Sequence, residues 1–105
     1  MNKYLRILED LDKHGVGKMK CFGNSMTPIL KTGSLITFEK QDEYQVGDIV
    51  FCKVNGRFID AHKITKIDAE GRFLIANNHG WENGWTKHIF AKAIKSECDD
   101  NEKQL

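Results

Sequence analysis

A serine and a histidine in this 105-residue chain have the side-chain types that acyl transfer needs. Ser25 lies in "GNSMTPIL", residues 23–30, between Gly23-Asn24 and Pro28, the only proline. Glycine and asparagine tolerate left-handed backbone and proline sets a turn, so on one reading Ser25 is polar loop filler. On the other it is a nucleophile, because a serine on a tight turn presents its hydroxyl at a strand end, with backbone N–H groups nearby to receive an oxyanion. His62 lies in "RFIDAHKITKI", residues 57–67. Strict alternation puts Phe58, Asp60, His62, Ile64 and Lys66 on one face and Ile59, Ala61, Lys63, Thr65 and Ile67 on the other. An imidazole among apolar neighbours is either a hydrogen-bonded structural group or a neutral base able to take a proton.

Three other groups of residues invite chemical readings. "NNHGWENGWTKH", residues 77–88, reads as a loop that sets Trp81 and Trp85 among glycines and asparagines. The two indoles either cover the core or form an exposed binding patch. His79 and His88 have no carboxylate or cysteine beside them at ligand spacing, so no metal site is expected, and no cofactor. Cys21, Cys52 and Cys98 are odd in number and lack CxxC spacing, which reads as reduced thiols in a cytoplasmic protein.

The elements that must position Ser25 and His62 follow from periodicity. In "NKYLRILEDLDKHG" the residues Tyr4, Leu5, Leu8 and Leu11 recur at helical spacing and Gly15 is a stop, predicting one amphipathic helix over about 2–14. From about 18 to 95 the pattern changes to six short β runs separated by turn residues. Asn55-Gly56 between two of them is the strongest hairpin signal. The implied fold is mainly β: a small, bent antiparallel domain, partly closed into a barrel, with one N-terminal helix. Residues 96–105, "SECDDNEKQL", read as a polar, disordered tail.

The totals exclude several classes. Sixteen basic residues against fifteen acidic give a net charge of +1, which leaves no basic surplus for a nucleic-acid binder. Glu9, Asp10 and Asp12 stand where a signal peptide needs an apolar block, and no apolar run is long enough to span a membrane. A single soluble domain is expected.

Taken in order, "GNSMTPILKTGSLITFEK", "YQVGDIVFCKVNGRFIDAHKITKID" and "GRFLIANN" resemble the serine peptidases that include signal peptidases and the LexA-type self-cleaving repressors. The resemblance runs from about Leu8 to Ile94. In that family a "GxSMxPxLxxGD" box carries the nucleophile, a "GDIV"-type turn opens the next hairpin and a later strand carries the base. That base is lysine in most members and histidine in the branch of the endoplasmic-reticulum and SipW-like signal peptidases, to which "AHKI" is similar. The resemblance implies that Ser25 is the nucleophile, His62 its base and the Ser25 N–H an oxyanion donor. It also implies that Met26 is part of the pocket wall and that Pro28 stiffens the turn. The substrate or partner so implied is a protein or peptide.

Two departures stand out. The box ends in Gly33-Ser34 instead of Gly-Asp, and Asn77-Asn78 replaces the "GD" whose aspartate can orient a histidine base. Asn78 can hold the ring by a hydrogen bond but lacks the charge that stabilises imidazolium, and Asp60 is the alternative orienter. Two functions are therefore expected. One is a Ser25/His62 endopeptidase; the other is a catalytically inactive protein-binding module on the same fold, using Trp81 and Trp85. LexA-type proteins cut an Ala-Gly or Cys-Gly bond, and this chain has neither, so self-cleavage is not expected.

Overall fold

The computed structural model describes residues 2–105. Asn2 caps the helix α1 (Lys3–His14), its side-chain oxygen accepting from the Leu5 N–H at 2.9 Å. Gly15 ends it in the left-handed conformation, φ 73°, and donates to the Leu11 carbonyl. Ile7 and Leu11, one turn apart, are the residues that α1 buries against the sheet. A Cβ at Gly17 would lie 2.9 Å from Ile7 Cγ1, so glycine is what lets the helix approach this closely.

Eight strands follow: β1 (Val16–Cys21), β2 (Ser34–Glu39), β3 (Ile49–Val54), β4 (Arg57–Ile67), β5 (Phe73–Ala76), β6 (Glu82–Thr86), β7 (His88–Cys98) and β8 (Asn101–Gln104). They form one antiparallel sheet in the order β1-β2-β7-β3-β4-β5-β6, with β8 added to β7. The sheet curls into a half-barrel, as the alternating short runs predicted. Its far end turns back until β6 meets β3, where the Thr86 hydroxyl donates to the Lys53 carbonyl at 2.5 Å. The curl encloses Val50, Cys52, Val54, Ile64 and Ile75. A larger cluster under α1 includes Ile7, Leu11, Met26, Phe38 and Phe51. Asn55 and Gly56 both have positive φ, 50° and 80°, which is the two-residue hairpin turn expected between β3 and β4.

Three expectations are corrected. Residues 96–105 are not a frayed tail: Asp99 and Asp100 turn with φ 51° and 63°, and β8 pairs back along β7 from Lys95 to Cys98. Every residue of β8 is exposed, so the strand carries no apolar alternation to read, while Leu105 packs on the main core. The stretch 77–88 is not all loop, because Glu82–Thr86 form β6 against β5. Its glycines and asparagines are turn residues by composition, yet Gly84, at φ 127°, and Asn83 belong to a bulged strand. Finally, β4 does not alternate strictly. Three steps from Ile59 to His62 face two steps on β3, from Cys52 to Val50, so Asp60-Ala61 is a bulge. Phe58 and Ala61 consequently join the main cluster, and Ile59 and Ile64 the smaller one.

Candidate active site

The turn between β1 and β2 holds Ser25 by bonds from several directions. Thr27 donates from both its N–H and its hydroxyl to the Asn24 carbonyl, at 3.2 and 2.9 Å. The Leu30 N–H donates to the Met26 carbonyl at 2.9 Å, and the peptide before Pro28 is cis. From the β5–β6 loop, the Asn78 N–H donates to the Ser25 carbonyl at 2.8 Å and its amide Nδ2 to the Thr27 carbonyl at 3.0 Å. His79 Nε2 lies 3.0 Å from the Asn24 carbonyl. Bonds within the turn and from one distant segment, the β5–β6 loop, therefore fix the serine in place, the preorganisation that a nucleophile on a loop would require. At Ser34, where the resembling box has aspartate, the hydroxyl donates to the Lys31 carbonyl at 2.7 Å and closes the end of the turn.

Ser25 Oγ lies 3.0 Å from His62 Nε2, and His62 Nδ1 lies 2.6 Å from Asn83 Oδ1. An amide oxygen only accepts, so Nδ1 carries the ring proton and Nε2 offers its lone pair to the serine hydroxyl. Ser25, His62 and Asn83 are all half-buried. The arrangement is geometrically that of a nucleophile, a base and a group that orients the base.

Asn83 was not among the residues picked from sequence. It is the extra residue of the β6 bulge: Gly84 faces Ile75 and Glu82 faces Ala76, leaving Asn83 without a partner on β5. β5 ends at Ala76, opposite Lys63, so side chains from β4 and β6 meet beyond it. The two residues proposed as orienters act elsewhere. Asp60, in the β4 bulge, accepts from Lys3 Nζ and from the Tyr4 hydroxyl, each at 2.6 Å. Asn78 holds the serine turn and accepts from Lys63 Nζ at 3.2 Å. The Asn-Gly signal in "ENGW" masked the strand that carries the actual partner of the ring.

A cleft of about 310 Å³ opens beside the pair, lined by Ser25, His62, Met26, Phe22, Phe58 and Asp60, among others. Met26 is buried in its wall, whereas Pro28 lies outside it. Among the described residues, the N–H groups of Ser25 and Met26 make no hydrogen bond, which leaves them free to donate to a carbonyl oxygen in the cleft. Burial and then the bond to Asp60 push the Tyr4 phenol up to about 12. Burial likewise pushes the Cys21 and Cys52 thiols up to about 12, so neither is a nucleophile near neutrality.

The tryptophans do not share one patch. Trp81, 71% exposed, borders a neighbouring depression with Phe58, Ile59 and Asn83. The Trp85 ring instead stacks on the Arg72 guanidinium, 5.9 Å away. Among the described residues no group of three or more histidine, cysteine or acidic side chains is placed to hold a metal ion. No helix there is long and apolar enough to cross a membrane.

No curated protein matches the chain in sequence. The model of a family described as Peptidase S24-like does match, over residues 2–94, a span that contains α1, the serine turn, His62 and Asn83. With a serine peptidase-like fold and a match over most of its length, the chain belongs to the Peptidase S24-like family.

Proposed function

We propose that the protein is a serine endopeptidase in which Ser25 is the nucleophile, His62 the general base and Asn83 the residue that holds the base. The observation that carries this reading is the continuous chain from Ser25 Oγ to His62 Nε2 at 3.0 Å and from Nδ1 to Asn83 Oδ1 at 2.6 Å. In the first step Oγ attacks a peptide carbonyl carbon while Nε2 takes its proton, and the carbonyl oxygen becomes an oxyanion facing the Ser25 N–H. The imidazolium then returns that proton to the leaving amine, the C–N bond breaks and an acyl-enzyme remains. Water, deprotonated by the same nitrogen, releases the acid. Histidine in the base position favours the histidine branch of the family over the lysine branch. Three free cysteines suit a reducing compartment such as the cytoplasm.

Incubation with a mixed peptide library, read by mass spectrometry, tests this reading. Cleavage products should appear with the parent protein and be missing with Ser25→Ala and with His62→Ala. Identical products from all three proteins would refute it.

Two observations favour a second reading, an inactive peptide-binding module: Trp81 is exposed beside the site, and the ring partner is an amide instead of a carboxylate. That reading requires a partner whose binding survives Ser25→Ala and is lost with Trp81→Ala.

A further inference from the structure

The cleft beside Ser25 and His62 has a second polar feature that the dyad does not use. Lys3, in the first turn of α1, extends its ammonium to Asp60 Oδ2 at 2.6 Å and to the Lys20 carbonyl oxygen at 3.0 Å. The same nitrogen lies 5.2 Å from the centre of the Tyr4 ring and 5.5 Å from that of Phe22. Tyr4 donates its hydroxyl to the other oxygen of Asp60, which fixes the carboxylate. A carboxylate, a carbonyl oxygen and two aromatic rings within cation range make a built site for an ammonium or guanidinium group. Every member except the lysine itself belongs to the cleft or to β1: Tyr4, Phe22 and Asp60 line it together with Ser25 and His62.

We infer that this is a recognition subsite for a basic side chain of a bound peptide, occupied in the free protein by the chain's own Lys3. Three observations favour that occupant over a purely structural ion pair. Asp60 projects from the bulge two residues before His62 and lines the same cleft as Ser25, so an extended peptide reacting at Ser25 passes within two or three residues of it. Phe22 is 67% exposed at the mouth of the cleft, an arrangement with little value for the core but suited to the stem of a long side chain. The Lys3 side chain is 36% exposed and sits at the start of α1, so it can swing into water. A partly exposed ion pair offers it little resistance. Lys3 then competes with the incoming cation, and the subsite opens when a peptide supplies a lysine or arginine.

The inference rests on reading the cleft as a peptide site, but not on Ser25 being reactive, so binding is measured in a Ser25→Ala background. The probes are short fluorescent peptides with a single lysine moved through successive positions, each paired with a norleucine control. In one position, lysine should bind about tenfold more tightly than norleucine, the scale of a charge-assisted hydrogen bond. Adding Lys3→Ala should tighten lysine binding and leave norleucine unchanged, while adding Asp60→Asn should erase the preference. Because Asp60→Asn also unties α1, a second measurement guards against a folding artefact. n-Butylammonium ion should raise the melting temperature of Lys3→Ala in a dose-dependent way and leave the parent unaffected. Equal binding of lysine and norleucine peptides by Lys3→Ala, or no stabilisation by the amine, overturns the subsite. Absence of library cleavage by the parent protein, with the lysine preference intact, overturns only the peptidase reading.

Discussion

Replacing Asn83 tests whether the ring of His62 is held for chemistry. In Asn83→Ala the Nδ1–H loses its acceptor at 2.6 Å, and because His62 and Asn83 are both half-buried, water replaces the bond poorly. An unpaired donor in such a place costs about 1–3 kcal/mol. If that cost falls on the reacting geometry, acylation slows by about 5- to 150-fold, at about 1.4 kcal/mol per factor of ten. The tautomer preference is lost at the same time, since nothing then selects Nδ1 over Nε2 for the proton. Asn83→Asp should act in the opposite direction. A carboxylate at the same place stabilises the imidazolium that forms as the serine proton leaves, so acylation should be faster than in the parent. Its pH profile should also shift to higher pH, because a neighbouring negative charge favours the protonated ring. The assay is the second-order rate of labelling by a serine-directed fluorophosphonate, followed by intact mass across pH for parent, Asn83→Ala and Asn83→Asp. Equal rates in all three would refute the assignment of Asn83, and a lowered melting temperature of Asn83→Ala beside equal rates would show that the 2.6 Å contact merely packs the strand.

Three further outcomes follow from the packing and the titrating groups. Phe51 is fully buried and its ring lies against Tyr4, Phe38, Phe58 and Phe90, so Phe51→Ala should cost about 3–5 kcal/mol in denaturant unfolding; a loss below about 1 kcal/mol would show that this cluster is not the main core. Tyr4 has its phenol raised from 10.0 to about 12, which favours the protonated form in the folded state. Its contribution to stability is complete below pH 10 and is lost as pH rises from about 10 to about 12. The tyrosinate absorbance difference between parent and Tyr4→Phe should appear in that window, and a difference complete by pH 10 would contradict the buried bond to Asp60. Lys63 follows His62 on β4, but among the described residues its ammonium bonds only to the Asn78 side chain, so Lys63→Met should leave the labelling rate within about threefold of the parent, the weight of one partly exposed hydrogen bond. Abolished labelling would move the role of base from His62 to Lys63.

The parts of the fold legible in the sequence were those where one residue type meets one backbone demand. Gly15 ends α1 as its chemistry predicts, and Asn55-Gly56 takes the paired positive φ values of a tight hairpin. Ser25 and His62 were legible for a different reason: each has few roles open to it in a half-buried place, and the order of motifs brought them together. What could not be read was the set of bulges. A single extra residue at Asp60-Ala61 moves Asp60 away from the ring it was expected to orient, and another makes Asn83 available to that ring. Bulges leave no period in the sequence, because they are fixed by how far the sheet must curl. The strands β6 and β8 were hidden by polarity, since edge strands that bury little need not alternate.

The central claim is that the Ser25 hydroxyl is activated by His62, and the most direct measurement locates the covalent adduct itself. After exposure to the fluorophosphonate near neutral pH, peptide mapping by mass spectrometry should find one adduct on Ser25, none on the other serines or on the threonines, and none anywhere in His62→Ala. An unlabelled parent protein, or an adduct on Ser25 that forms equally fast without His62, would contradict the account.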